Sequence, residues 1–479
     1  MTECIATEFD FHPLQRRKVI GRFDGGAITS DAGGLLLREL EVKTGLLQRF
    51  SDCFTDHRDP DLIEHSVLEL IKQRVFGLCL GYEDLNDHDE LRHDPLLAVL
   101  VGKADPTGND RVRQRDKGKA LAGKSGAPTE GWSNRLELTP PGANAGSRYK
   151  KIVASCSSLE RFFVDAFLES HAKPPEEIVL DFDATDDPLY GHQLGRFFQG
   201  YYKCYCDLPL SVFCGQHLLC AKLRPSDIDG AAGTVGELRR IVGRIRESWP
   251  QVRILIRGDS GFCREEIMRW CEENGVDFLL GLAKNGRLKA EIIDEMQWAK
   301  TAFEQSGEAA RAFKDFAYQT LESWSRPRRV VGKAEYLKKG ENPRFVVTSL
   351  SRDAIAARPL YEEKYCARGR MENCIKEQQL FLFADRTSCA TMRANQLRLW
   401  FSSVAYVLLQ TLREVGLKGT ELEHAQCDTI RLRVLKIGAQ IRVTFRKVWI
   451  ALAESYPWRS LFAEVWANLR RLPSRPVPD

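Results

Sequence analysis

The sequence predicts an α/β protein: a mixed β-sheet core with a β-rich insertion, a helical N-terminal domain and a basic helical C-terminal region. Three observations carry that expectation. Apolar residues recur at helical spacing before residue 102. From Ile178 onward strand-like runs come first and then alternate with helical patterns. Between Ile430 and Ile450 stand six basic residues and no acidic one.

A chain of 479 residues is long enough for about three domains. Its 43% apolar content is that of a globular protein. The net charge of +4 is too mild to demand a polyanionic partner, so the local distribution of charge says more. Fourteen cysteines are scattered without a Cys-x-x-Cys pair, which excludes zinc-type spacing and leaves reduced, mostly buried thiols of a cytoplasmic protein as the expectation. Asp10, Arg16, Arg17 and Lys18 stand where a signal peptide needs an apolar core. Leu397 to Leu412 is interrupted by Arg398 and ended by Arg413, so it reads as a core helix rather than a membrane span.

In residues 1–102, Ser30-Asp31 offers an N-cap ahead of Leu35, Leu36, Leu37 and Leu40. Leu62, Val67, Leu70, Ile71, Val75 and Leu78 predict a longer second helix. His57, His88 and His93 lie among carboxylates, but polar loops and caps explain them more simply than a metal site. Residues 103–151 turn to Gly, Pro, Ser and basic side chains (Arg111, Arg113, Arg115, Lys117, Lys119, Lys124), a linker or loop suited to phosphates or to plain solvation.

Residues 152–285 hold the first part of the core. Ile178-Val-Leu leads into Asp181 and Asp183, which share one face if the segment is a strand, with Thr185 at its end. Leu210–Cys214 and His217–Leu223 read as strands, and Leu238, Ile241, Val242 and Ile245 as an amphipathic helix ending before Pro250. Val252–Ile256 then runs into Arg257-Gly-Asp259-Ser-Gly-Phe262, followed by a helix over Glu265–Asn274 and a strand over Asp277–Leu282. Three strands and then helix, strand, helix, strand fit an RNase H-like mixed sheet, with one acid on the first strand and another just past the fourth. Residues 286–350 contain the β-prone segments Ala312–Thr320, Arg328–Leu337 and Arg344–Leu350. There Trp324, beside Arg326, Arg328 and Arg329, is placed either to stack on an unpaired base or to pack the insertion's own core. Residues 351–415 complete the core: a helix opening near Tyr365 sets Arg368, Glu372 and Lys376 at successive turns of one side. Residues 416–479 form the basic region, in which Arg431, Arg433, Arg442 and Arg446 are candidate DNA contacts.

Two chemistries fit the stretch around Asp181. Apolar residues before Asp-x-Asp-x-Thr resemble the start of a haloacid dehalogenase-type phosphatase, with Asp181 as nucleophile and Asp183 as general acid. That chemistry needs a later Gly-Asp-x-x-x-Asp, and here Cys263 stands at the last position. The other reading takes Asp183, Asp259 and Glu372 as carboxylates converging on two divalent ions about 4 Å apart, as phosphodiester cleavage requires. Hard oxygen donors suit Mg²⁺, with Mn²⁺ as a substitute.

Asp183-Ala-Thr, Arg257-Gly-Asp-Ser-Gly-Phe and Tyr365-x-x-Arg368-x-x-x-Glu372, in that order with a β insertion before the last, resemble a DDE transposase of the IS4 superfamily, most closely the IS1380 family of insertion-sequence transposases. Gly21-Arg-Phe-Asp-Gly-Gly, Asp56-His-Arg-Asp-Pro60, Gly81-Tyr-Glu-Asp-Leu-Asn-Asp87, Arg393-Ala-Asn-Gln-Leu-Arg398 and Tyr456-Pro-Trp458 extend the resemblance over most of the chain. It implies catalytic, metal-holding acids at Asp183, Asp259 and Glu372 and DNA-gripping groups at Tyr365 and Arg368. It also implies double-stranded DNA, both terminal inverted repeats and target, as the partner, a homodimer as the active form, and a bacterial, nucleoid-associated setting without a membrane. Asp181 becomes a supporting carboxylate behind the ligands. The lysine that the superfamily pattern sets seven residues after the glutamate is Gln379 here, and Lys376 is the candidate to replace it. A DNA-binding repressor derived from such an enzyme keeps the basic surfaces but not the need for three acids.

Overall fold

The structure, a computed structural model, describes residues 8–124, 136–189, 191, 193 and 195–473. Two compact units result: Ser155–Ser403, and Met1–Ala154 together with Val404–Asp479. Positions 125–135, the middle of the expected linker, lie outside the described residues.

The unit Ser155–Ser403 is built on a nine-stranded mixed sheet. Its long strands are β1 (Glu177–Ala184), β2 (Leu210–Cys214), β3 (His217–Lys222), β4 (Arg253–Gly258), β5 (Asp277–Leu282), β6 (Ala310–Tyr318), β7 (Arg328–Leu337) and β8 (Arg344–Thr348). They lie in the order β3-β2-β1-β4-β5-β8-β7-β6, and the short strand Gly340–Glu341 pairs with β7. Only β1 with β4 and β4 with β5 are parallel. This arrangement is consistent with an RNase H-like sheet, and the insertion's strands continue that sheet through β5 and β8 instead of closing a separate small domain.

Alternation along β1 explains why the strand forms where it does. Ile178, Leu180 and Phe182 enter the larger core, against Ile254 and Ile256 of β4 and the helices α1 (Cys156–Glu169), α2 (Thr234–Ser248) and α3 (Glu265–Glu273). In α2 the buried apolar positions are Leu238, Ile241, Val242 and Ile245, the spacing of one helical face. Val179 faces the other way, into a smaller cluster with Leu255, Leu279, Val331, Val346, Leu360 and Tyr361. Asp181 and Asp183 share the parity of Val179, so they rise on the side covered by the segment after β8.

That segment winds through an irregular turn at Leu360–Tyr365 and a short 3₁₀ turn at Cys366–Arg368 into α4 (Gly369–Leu382). The following helix, Met392–Thr411, begins against the sheet's edge: Gln396 accepts from the Leu223 amide (2.7 Å) and donates to the Ala221 carbonyl (3.0 Å), extending the ladder beyond β3. No helix among the described residues is long and apolar enough to cross a membrane.

The other unit departs from an all-helical reading at both ends. Phe9–Leu14 and Arg17–Gly21 form an exposed hairpin. Ala27–Thr29 pairs with Ala439–Val443, which pairs in turn with Val448–Leu452. The expected basic helical C-terminal region is thus partly a β-ribbon, because the β-branched residues alternate, Ile441 with Val443 on one strand and Val448 with Ile450 on the other. Helices do follow where apolar periodicity is strong, over Gly34–Thr44 and Val67–Leu80. The second starts later than Leu62, because Ser66 and Glu69 close a reciprocal capping box there. Ser30-Asp31 is not a cap; Asp31 is buried and bonded to Lys436 (2.6 Å) and the Tyr82 hydroxyl (2.6 Å). His88 is buried against Gln73 (3.1 Å) and burial lowers its pKa, while His93 Nδ1 lies 2.9 Å from the Gly118 carbonyl. These histidines serve packing and loop closure.

Candidate active site

Strands β1 and β4 run parallel and side by side, so both deliver their C-terminal ends to the same place. Asp183 is the next-to-last residue of β1, and Asp259 follows β4 directly. The Asp259 carboxylate accepts from the Gly261 amide (2.8 Å) and so caps the turn Ser260–Phe262. Glu372 comes from the first turn of α4. These three carboxylates, with Thr185, Gln199, Tyr201, Tyr202 and Arg368, line one cavity of about 470 Å³.

The charge balance in this cavity is uneven. Arg368 donates to Asp183 Oδ1 (2.7 Å) and to Glu372 Oε1 (3.0 Å), one cation for three acids among the described residues of the cavity. Burial raises the Asp183 pKa; Arg368 opposes that shift, and the charges of Asp259 and Glu372 add to it. Arg368 Nε is itself buried without a hydrogen-bond partner. Such a pocket favours a further positive group. Its donors are all oxygens, Thr185 included, through a hydroxyl 3.3 Å from Asp183 Oδ2, and they fit a hard divalent cation. Among the described residues no three His, Cys, Asp or Glu side chains stand at ligating spacing. Arg368 holds one oxygen of each carboxylate, which leaves Asp183 Oδ2 and Glu372 Oε2 to face a cation.

Asp181 has a different setting. It is 3% exposed, and both oxygens accept from Arg257 at 2.6 and 2.8 Å. Asp181 and Arg257 are register partners in the parallel pair, each two residues before Asp183 and Asp259 respectively. The ion pair therefore locks the two strand ends together. Arg257 also donates to the Lys364 carbonyl, and Lys364 Nζ reaches Glu177 (2.6 Å), which ties the Leu360–Tyr365 turn to the same strands. A carboxylate closed in this way is not open to attack a phosphate, which removes the ground for the phosphatase reading.

The remaining expected contacts sort into three groups. Tyr365 lies against the back of the site: a Cβ on Gly281 would sit 2.6 Å from its hydroxyl and 2.8 Å from the Ser260 amide. Gln379 donates to the Asp186 carbonyl (3.2 Å), an amide tie where the pattern expects lysine, and Lys376 is exposed one turn after Glu372. Trp324 is a correction. It is 6% exposed, packs edge-on to Tyr318 and lies under Arg328, so no base can stack on it. Arg431 is another, since it donates to the Cys79 (2.9 Å) and Leu78 (3.2 Å) carbonyls and closes the end of the Val67–Leu80 helix. Arg433 lies over Trp458, while Arg442 and Arg446 are exposed.

Sequence reasoning did not single out Tyr201 and Tyr202. The Tyr202 hydroxyl donates to the Ala184 carbonyl (3.0 Å), and burial together with Asp183 and Asp186 raises its pKa, so it remains a neutral donor. The signal was the run of aromatics from Phe197 to Tyr205, which a strand reading absorbs without assigning it a task.

A sequence model of the family described as transposase DDE domain group 1 matches residues 11–474. No curated protein matches the chain.

Proposed function

The chain belongs to the transposase DDE domain group 1 family, and from that premise we propose that it is an insertion-sequence transposase of the IS1380 kind, within the IS4 superfamily, acting on double-stranded DNA. It binds terminal inverted repeats, cleaves phosphodiester bonds at the element's ends and joins the freed 3′-OH to target DNA. The observation that carries this reading is the convergence of Asp183, Asp259 and Glu372 on one cavity with a single arginine to balance them.

Asp183, Asp259 and Glu372 hold the divalent ions, two Mg²⁺ or Mn²⁺. Bound ions supply Lewis acidity, making water a nucleophile near neutral pH and stabilising the leaving oxygen. Arg368 neutralises part of the acid cluster, and its guanidinium would be available to a phosphate oxygen if metal took over Asp183 and Glu372. Tyr365 keeps the end of β4 and the turn after it in place. Lys376, exposed on the same helix as Glu372, contacts the phosphate backbone. Two DNA ends have to meet, so the working form is a homodimer, in the bacterial cytoplasm at the nucleoid.

The DNA flanking the gene supplies the substrate for the test. Glu372→Gln is expected to reduce cleavage of the end sequence by about a thousandfold, since several kcal/mol of transition-state stabilisation are lost, while DNA binding persists. Cleavage at the parent rate would show that the three-acid site is wrong. A parent protein that binds the ends and never cuts them is instead a repressor.

A further inference from the structure

The ribbon Ala439–Val443 and Val448–Leu452 ends in an exposed tip. The pair Val443↔Val448 leaves the four residues Thr444–Lys447 to turn the chain. The turn is locked: the Thr444 amide donates to the Lys447 carbonyl (2.9 Å), and the Lys447 amide to Thr444 Oγ1 (3.1 Å). On this fixed turn Phe445 is wholly solvent-exposed, at 104%. Arg446 and Lys447 follow it, and Arg442 stands directly across the ribbon from the half-exposed Trp449, whose ring lies 5.4 Å from Lys447 Nζ. Ala27–Thr29 braces the ribbon along one edge. No acidic residue stands between Asp428 and Glu454, so the ribbon's own charged side chains are all positive.

A phenyl ring standing in water gains nothing for folding, and the turn's hydrogen bonds hold its backbone out at the end of the ribbon. A partner has to offer both negative charge and an apolar slot. Stacked base pairs between phosphate backbones offer both, and a two-stranded ribbon fits a DNA groove. A second copy of the chain meeting the tip symmetrically would set the same cations against one another. We infer that the ribbon enters a DNA groove, with Phe445 wedged between base pairs and Arg442, Arg446 and Lys447 on the flanking phosphates. This rests on the transposase reading and adds a kinking wedge remote in sequence from the three acids.

The test titrates the full chain onto end-labelled duplexes of random sequence, reading affinity by anisotropy over a range of salt and bending by energy transfer between the labels. Phe445→Ala is expected to weaken binding by about tenfold, leave the salt slope unchanged and reduce the bend, with the melting temperature unaltered because the ring is exposed. Phe445→Trp restores both affinity and bend. Arg446→Ala and Lys447→Ala each flatten the salt slope by about one unit and leave the bend. If Phe445→Ala binds and bends DNA like the parent, the wedge is refuted. If the parent has no affinity for any duplex, the transposase reading falls along with it. A Phe445→Ala protein that instead loses self-association without DNA, or loses binding to phosphatidylserine vesicles, assigns the tip to a different partner and overturns the inference.

Discussion

Two stretches of this chain combine an aromatic residue with a run of cations, Trp324 with Arg326, Arg328 and Arg329, and Phe445 with Arg442, Arg446 and Lys447, and the fold treats them in opposite ways. Every arginine of the first has a carboxylate. Arg328 bridges Glu265 (2.6 Å) and Glu272 (2.8 Å), Arg326 reaches Glu272 (2.7 Å) and Arg329 reaches Asp315 (2.7 Å). The tryptophan below them is core. Among the described residues no carboxylate stands at ion-pair distance from the cations of the second, and its ring is in water. Composition counts charges; only their partners decide whether those charges remain available to a substrate.

The contrast is broken most severely at Arg328, which is 5% exposed and neutralises two glutamates at once. Arg328→Ala should cost about 2–4 kcal/mol, because it removes a buried guanidinium, takes the cation from the partly buried Glu265 and leaves Glu272 with Arg326 alone. Denaturant unfolding reads this directly, and a loss within error of zero would place the Trp324 cluster with the exposed one. A smaller effect is expected at Gly281, where an added methyl meets the Tyr365 hydroxyl and the backbone of Asp259 and Ser260. Gly281→Ala should cost about 1–3 kcal/mol of stability and depress single-turnover cleavage further than DNA binding. Equal losses in both would mean that the backbone after β4 does not position the acid.

The smallest effect concerns buried acids without cations. Asp207 is 2% exposed, and burial raises its pKa to about 6, near Asp187, whose two carboxylate oxygens have no hydrogen-bond partner among the described residues. A raised folded pKa means that the folded state holds the proton more tightly than the unfolded chain. Stability contributed by the neutral form is therefore complete below about pH 4 and declines as pH rises through about 6. Melting temperature against pH should show that decline, and Asp207→Asn should flatten it.

Much of the core was legible before any coordinates. The strands β2, β3, β5 and β7 and the helix α3 lie within a residue or two of their expected bounds, and α2 ends before Pro250 as expected, since period-two and period-3.6 patterning are local properties of a chain folded around one sheet. That Asp183, Asp259 and Glu372 would meet at one cavity was legible too, through their order and flanking residues. The ribbon at Ala439–Leu452 was not, because its basic residues drew attention to charge while its β-branched alternation went unused. Arg431 and Trp324 misled for the same reason.

What the sequence by itself determined is the periodicity of each element, and hence that Asp181 and Asp183 would share a face of one strand. Tertiary structure alone decided that they would differ. Arg257, 76 positions from Asp181, closes that carboxylate inside an ion pair, while Asp183 shares one arginine with two other acids. The cause is physical: a side chain's direction follows from backbone geometry a few residues long, whereas its charge state and accessibility follow from groups that only folding brings near.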